Sequence, residues 1–512
     1  VDKYQSSEKK DSFTRRFGLL LGPLISLILL IFFNLDPEHP EVTRAAAVAL
    51  LMAVWWITEA VPLAITSLLP VLLFPLLNVM QAKKVAPIYF NHIIFLFIGA
   101  FMVALAMQRW GLHKRIGLKI LTWIGVGPRR ITLGFMVTTA FLSMWISNTA
   151  TTMMMIPIAL AVILKLEETL GKKELFKFNI GFFLGIAHAA TVGGIATLIG
   201  TPPNLSFARI LHIYFPQAPE ISFATWFFFA LPLSVVFLIL IWLVLTIRYS
   251  PPRGKFQIDS EVFKEEYRKL GPFKFEEKVV LVIFALMAFL WILRVDIEIG
   301  NFVIPGWSSL LGVADFVDDS TVAVLMAVLL FVIPSKSEKG RRIMNWATAV
   351  KLPWDIVLLF GGGFALASGL KESGLSTWLG NQLTGLSLLP PILIIMLICA
   401  MLTFLTELTS NTATTEMVLP ILAGVAVAIK INPLFLMVPA TLSASCAFMM
   451  PVATPPNAII FGTRRLRIAD MAKTGISLNL IGIILITLTI YFLGKLVFNI
   501  DLTQFPAWAQ GG

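Results

Sequence analysis

Two hexapeptides of this chain are identical, and both are polar where their flanks are not: Ser147-Asn148-Thr149-Ala150-Thr151-Thr152 and Ser410-Asn411-Thr412-Ala413-Thr414-Thr415. Two matched tetrapeptides follow them, Thr201-Pro202-Pro203-Asn204 and Thr454-Pro455-Pro456-Asn457, each inside an apolar run. Amides and hydroxyls donate and accept hydrogen bonds without carrying charge, so they can hold an anion or a cation. If the apolar arms are helices, the second arm of each pair starts at Ser-Asn-Thr. Its free N–H groups and positive dipole end suit an anion. The end of the first arm offers free carbonyls, which suit a hard cation such as sodium. A Ser or Asn at that place also caps the helix, a role compatible with binding. The Pro-Pro pairs lack N–H donors and clash with the preceding turn, so they are expected to unwind both runs. No Lys or Arg stands near either tip within the arms. An anion's charge is then left to helix ends, amides, hydroxyls and accompanying cations. The sequence offers no phosphate-binding loop, no strong metal-ligand cluster and no nucleophile–base set at the breaks, which argues against an ATP-driven pump and against an enzyme.

The elements that position these groups follow from composition. Of 512 residues, 57% are hydrophobic and 13% charged, against about a quarter charged in soluble domains. The chain reads as an all-α polytopic membrane protein. Fifteen apolar runs lie between residues 17 and 498. The two pairs that meet at the hexapeptides read as re-entrant hairpins, leaving eleven transmembrane helices, an odd number that puts the termini on opposite sides. Basic clusters at 109–119, 335–342 and 463–473 then share a side with Lys9, Lys10, Arg15 and Arg16. Asp36, Glu38, Glu41, Asp296, Glu298, Asp315, Asp318 and Asp319 fall opposite; Lys83 and Lys84 do not fit. The positive-inside rule makes the N-terminus cytoplasmic and the C-terminus extracytoplasmic. The net charge of +11 is thereby assigned to topology, with the lipid bilayer as partner and no nucleic acid.

The chain repeats itself. The hexapeptides are 263 residues apart, and the same offset aligns Phe97 with Phe360, Gly99 with Gly362, Gly111 with Gly374 and Pro157 with Pro420. Leu51-Met52-Ala53-Val54 recurs at Leu325-Met326-Ala327-Val328. The run 90–108 travels inward under the charge pattern and its copy, 351–370, outward, so the repeat is inverted. Helices broken near the midplane in an inverted repeat are characteristic of secondary transporters. The expected organisation is a cytoplasmic tail at 1–16; scaffold parts at 17–128 and 279–387; transport parts, each with a hairpin and a broken helix, at 129–250 and 388–500; a cytoplasmic linker with an amphipathic helix at 251–278; and an extracytoplasmic tail at 501–512.

Four ionisable residues interrupt apolar runs: Glu59, His188, Glu407 and Glu416. Glu59 marks a turn, His188 reads as a hydrogen-bonded core residue, and Glu407 and Glu416 read as structural groups behind one tip. Sodium rather than proton coupling is therefore expected. Cys399 and Cys446 read as packing residues, and Trp145 likewise.

The twin Ser-Asn-Thr motifs with their Thr-Pro-Pro partners, together with Trp110-Gly111-Leu112-His113-Lys114-Arg115 and Leu359-Phe360-Gly361-Gly362-Gly363, closely resemble the divalent anion/sodium symporter family, often called INDY proteins. The resemblance spans roughly 17–500. It implies a homodimer of scaffold and transport domains working as an elevator. It implies that Ser147, Asn148, Thr149, Ser410, Asn411 and Thr412 hold substrate carboxylates, with Thr201 and Thr454 close by. One Na+ site would use Ser143, Ser147, Asn148 and Gly200, its partner Thr406, Thr409, Asn411, Ala453 and Pro455. The expected function is inward symport of a C4-dicarboxylate (succinate, malate or fumarate) with sodium; the alternative is sodium-independent dicarboxylate/2-oxoglutarate exchange. The compact chain looks bacterial, hence a multi-pass protein of the inner membrane.

Overall fold

The computed structural model describes residues 13–124, 127–249, 261–299, 302–498, 500 and 504–510. Most of the expected N-terminal tail (1–12), the start of the linker (251–260) and parts of the C-terminal tail (501–503 and 511–512) lie outside the described residues.

The first repeat begins with α1 (Phe13–Phe32) and α2 (Pro40–Thr58). A chain of short helical pieces follows, and then α3 (His92–Arg109) and α4 (Leu112–Ile124). Next come α5 (Pro128–Ser143), α6 (Asn148–Leu170), α7 (Lys172–Ile195), α8 (Pro202–Tyr214) and α9 (Phe223–Arg248). The linker holds α10 (Glu261–Lys269), whose Phe263 is buried. The second repeat runs through α11 (Phe275–Ile292), α12 (Asp319–Val332), α13 (Trp354–Glu372), α14 (Leu375–Gln382) and α15 (Pro391–Thr406). It ends with α16 (Asn411–Ala428), α17 (Leu434–Ser445), α18 (Pro455–Gly462) and α19 (Ile468–Val497). Among the described residues, the regular elements are helices apart from one antiparallel ribbon, β1 (Ile297–Ile299) with β2 (Phe302–Ile304). The ribbon is absent from the sequence reading, because two three-residue strands are too short to show a period.

Among the described residues, nine helices are long and apolar enough to cross a bilayer. Outward stripes such as Val235, Val236, Ile239 and Leu243 on α9, or Leu480, Ile484, Leu488 and Phe492 on α19, leave large apolar side chains exposed. In water that would be a liability; in lipid it is the expected surface. The opposite extreme is α7, every position of whose apolar window is buried. Helices on all its sides, α5, α6, α9 and α18, wrap it.

The duplication is visible in the packing. Helix α7 packs on α5, α6 and α9, as α17 packs on α15, α16 and α19. The contacts also cross between repeats: α6 meets α18, and α16 meets α8. Phe97 and Phe360, equivalent by the 263-residue offset, stack edge-to-face with centroids 5.3 Å apart. Gly111 and Gly374, another equivalent pair, share a left-handed φ of +76°. There each chain leaves a long helix, α3 or α13, for the short one behind it, a turn that glycine alone makes without strain.

Two ionisable residues have inner roles that the sequence did not show. Asp319, read only as one of the acids opposite the basic clusters, is buried. Its carboxylate is buried against the Arg294 Nε at 2.7 Å and accepts from the Phe223 N–H at 2.6 Å. The Asp319 carbonyl accepts from the Trp291 indole. This knot fixes the starts of α9 and α12 to the end of α11. His188 is fully buried but makes no hydrogen bond; both ring nitrogens lack a partner, and the ring packs edge-on against Phe448. Cys399 and Cys446 are free and buried, and Trp145 packs between Phe223 and Phe284, as read from the sequence.

Replacing Arg294 with Ala strands a buried carboxylate, a loss of about 3–5 kcal/mol. We expect a markedly lower melting temperature of the purified protein in detergent, and partial recovery when Asp319→Asn is added. A double variant no more stable than the single one contradicts this account of the knot.

Candidate functional site

Each hexapeptide straddles a break between two helices. Helix α5 ends at Ser143, and α6 begins at Asn148; α15 ends at Thr406, and α16 begins at Asn411. The same hydrogen bond closes both tips. The Ser143 hydroxyl donates to Asn148 Oδ1, and the Thr406 hydroxyl donates to Asn411 Oδ1 at 2.6 Å. One turn on, Thr152 and Thr415 each donate to the carbonyl of that Asn, both at 2.8 Å. With Oδ1 committed, the Nδ2 amino group of each Asn is left without a protein partner and is not buried. Each amide therefore presents donors at a helix N-terminus, the polarity a carboxylate requires.

The flanking hydroxyls differ between the tips. Ser147 caps α6 by accepting from the Ala150 N–H at 3.3 Å. Ser410 makes no such cap bond, and neither Thr149 nor Thr412 is tied to a neighbour by a hydrogen bond. Their hydroxyls stay available.

The broken helices supply the other wall. The prolines do not lie in unwound chain, as the sequence suggested. Pro202 and Pro455 occupy the first positions of α8 and α18, where a missing N–H costs nothing; the unwound stretches are 196–201 and 446–454, just before them. Asn204 and Asn457 hold these stretches from inside. Asn204 donates to the carbonyls of Ile195 and Thr197 at 3.3 and 2.7 Å; Asn457 donates to those of Ala447 and Met450 at 3.2 and 3.1 Å. Thr201 and Thr454, both buried, open the second halves.

At the first tip, helix break and hairpin touch. A Cβ added to Gly194 would lie 2.7 Å from Asn148 Oδ1 and 3.0 Å from the Gly200 carbonyl, and one added to Gly200 would strike the Gly194 carbonyl. Asn148 Oδ1 and the Gly200 carbonyl thus crowd Gly194, the Gly194 carbonyl crowds Gly200, and neither position has room for a side chain larger than hydrogen. Of the expected cation set, Ser143, Asn148 and Gly200 come together here, with Ser147 next in the chain. Gly194 was missed; a Gly-Gly pair inside a membrane helix was its only sequence signal. At the second tip the Thr406 hydroxyl, besides holding Asn411, reaches the Ala444 carbonyl at 2.7 Å. Thr409 bonds the Leu405 carbonyl and the Thr414 hydroxyl. Ala453 and Pro455 border the break, with no hydrogen bond to Asn411 among the described residues.

Glu407 has a larger part than the sequence suggested. Its carboxylate accepts from the N–H groups of Phe448, Met449 and Met450 at 2.7–3.1 Å and from the Asn479 amide at 2.8 Å. It thereby satisfies the donors exposed by the second break. The position 263 residues earlier is Met144, which has no such side chain; there the Met144 carbonyl accepts from Thr197 at 2.6 Å. Beside the first break lies a cavity of about 260 Å³, with Leu198 from the break, His92 from α3, His212 from α8 and Asp318 before α12 among its walls.

Gly194→Ala tests the oxygen cluster. In an ordinary helix, Ala in place of Gly adds about 1 kcal/mol of stability. Here we expect the sodium concentration that half-activates uptake to rise by about tenfold or more, the equivalent of about 1.4 kcal/mol per tenfold. An unchanged sodium titration would mean that these carbonyls do not bind the ion.

The family described as the sodium:sulfate symporter transmembrane region matches residues 19–500. The chain is 44% identical over 493 residues to the sodium-dependent dicarboxylate transporter SdcS of Staphylococcus saprophyticus, covering 95% of this chain and 93% of the relative. It is 45% identical over 511 residues to SdcS of Staphylococcus aureus, covering 98% and 96%. The fold is similar to that of Neisseria gonorrhoeae MtrF, with a TM-score of 0.54 at 16% identity, over 92% of this chain and 98% of that one. The chain belongs to the sodium:sulfate symporter family, the divalent anion/sodium symporters that its paired motifs resemble, and so to a family of transporters rather than of enzymes.

Proposed function

We infer that this protein is a secondary active transporter that carries C4-dicarboxylates, succinate, malate or fumarate, inward with sodium ions. One observation carries the reading: two Asn amides, equivalent by the repeat, each have Oδ1 fixed by a hydroxyl and Nδ2 left to donate at a helix start. Two such donor sets match an anion with two carboxylates. The adjoining carbonyls of Gly194 and Gly200 give a cation a place beside the first carboxylate, which lowers the cost of bringing a dianion out of water. The relatives named as sodium-dependent dicarboxylate transporters support the same substrate class.

The route is an elevator. The hairpins and broken helices of 129–250 and 388–500 form the moving body, cross-packed through α6 with α18 and α8 with α16. The scaffold parts, 17–128 and 279–387, stay with the lipid and pair two copies into a homodimer. The two helix pairs at the hexapeptides are re-entrant hairpins, eleven segments cross the inner membrane, and the N-terminus is cytoplasmic. The cavity beside Leu198 lies between helices of the two bodies, α8 against α3 and α12, which supports a seam there.

Asn148→Ala and Asn411→Ala test the site. Each removes an amide that does little for the fold beyond its local bonds. A cap-only role costs about 0.5–2 kcal/mol of stability and leaves succinate affinity unchanged. We expect near-normal yield of folded protein, with the KM for succinate raised by about tenfold or more, equivalent to about 1.4 kcal/mol per tenfold. Wild-type uptake from both variants would overturn the constellation, and uptake of sulfate with no competition by dicarboxylates would overturn the substrate class.

A further inference from the structure

The function above leaves one buried carboxyl without a task. Glu416 lies on α16, five residues beyond Asn411, and is 0% exposed. Oε1 accepts from the Ser206 hydroxyl of α8. Oε2 has no partner. The third wall is bare backbone: a Cβ at Gly363 of α13 would fall on the Glu416 carboxyl, so only glycine leaves it room. Gly361 and Gly362 of the same helix make the same kind of room for Tyr89 and Ser67.

No counter-charge meets the group. The charged and titratable side chains on the elements packed against α16 are Arg209, His212 and Tyr214 on α8; Asp355, Lys371 and Glu372 on α13; Glu41 and Arg44 on α2; and Cys399 on α15 with Glu407 beside it. Helices α14 and α17 carry none. Lys371 donates to the carbonyls of Ile213 and Tyr214, Tyr214 bonds Ser376, and Glu407 holds the second break. None of these groups forms a hydrogen bond or ion pair with Glu416. A carboxylate buried in this way, with one hydroxyl donor and no cation, is among the costliest arrangements a protein interior holds. Intramembrane acids of this kind mark ion pathways.

Its location gives that cost a use. In the reading above, α8 and α16 belong to the moving body and α13 to the scaffold. Glu416 then faces the bare backbone of Gly363, across which the two bodies slide. We propose that Glu416 is a cation-accepting site of the transport cycle: it takes up one monovalent cation, sodium or a proton, at Oε2 on one side of the membrane and releases it on the other. No covalent bond changes in the protein. Per cycle the cation adds one positive charge to those moved with the dianion. A bare carboxylate resists passage across α13, so the moving body crosses only when neutralised. This rests on the elevator reading but adds a third ion to it.

Purified protein without substrate provides the first test, which does not depend on carboxylate transport. Melting temperature is titrated with sodium at several pH values, potassium replacing sodium, for wild type and Glu416→Gln. A proton site predicts that the variant loses a pH-dependent stabilisation and keeps its sodium curve. A sodium site predicts a less cooperative sodium curve. Identical titrations in both proteins overturn the proposal. If the Gln variant does not fold, Ser206→Ala serves: it keeps the carboxyl but removes its one donor, and should tighten cation binding by up to about tenfold; an unshifted midpoint also overturns the proposal. In proteoliposomes, the reversal potential for succinate then gives the charge moved per substrate. It should fall by one elementary charge in Glu416→Gln, and an unchanged value overturns the cation's passage with the substrate. Altered cation titrations in a wild type that transports no carboxylate would instead overturn the functional reading.

Discussion

A helix that stops inside hydrocarbon leaves backbone donors and acceptors with no water to receive them, and in the proposed arrangement four helices of this protein stop in that way. Everything distinctive in the structure answers that constraint. Asn148 and Asn411 sit where second arms begin, steadied by hydroxyls from the ends of the first arms. Asn204 and Asn457 draw in the carbonyls of the unwound stretches. Glu407 collects three N–H groups at once. Whatever donors and carbonyls remain after these bonds are made are the groups a ligand can use. Site and fold are thus one arrangement, and the residues that satisfy the breaks also determine the polarity of what can bind.

The duplication explains how such an arrangement is reached economically. Each repeat bonds its own break, but the second arm of each hairpin packs against the short half-helix of the other repeat. With Phe97 against Phe360 at equivalent positions, the two halves complete each other's packing. The halves have since diverged. The first break is closed by backbone, hydroxyl and the Asn204 amide, around Gly194 and Gly200. The second is closed also by Glu407 at the end of the first arm, with Glu416 on the second arm, five residues past Asn411. The charged half and the uncharged half need not treat their ions alike.

Much of this was legible in the residues. The hexapeptides mark both tips, the 263-residue offset marks the repeat, and Thr-Pro-Pro-Asn marks the start of each second half-helix. The breaks themselves were displaced by several residues, because proline at the first helical position begins a helix as readily as proline inside one disrupts it. Glu407 stayed in the background because its partners are N–H groups of 448–450, some forty residues away, which no local pattern advertises. Gly194 reads in the sequence only as a glycine that loosens the first broken run, because its contribution at the tip is the absence of a side chain. The β1–β2 ribbon and the Arg294–Asp319 pair depend on contacts distant in sequence, and the charge pattern assigned Asp319 only a side of the membrane.

The account stands on sodium and a dicarboxylate occupying the same pair of breaks. The most direct measurement is succinate uptake into proteoliposomes at fixed pH and membrane potential, with inward sodium and potassium gradients compared. The account predicts accumulation above equilibrium with sodium and none with potassium. Uptake that ignores sodium but requires dicarboxylate inside the vesicle would mean exchange, and the carbonyls around Gly194 and Gly200 would then have only a structural role.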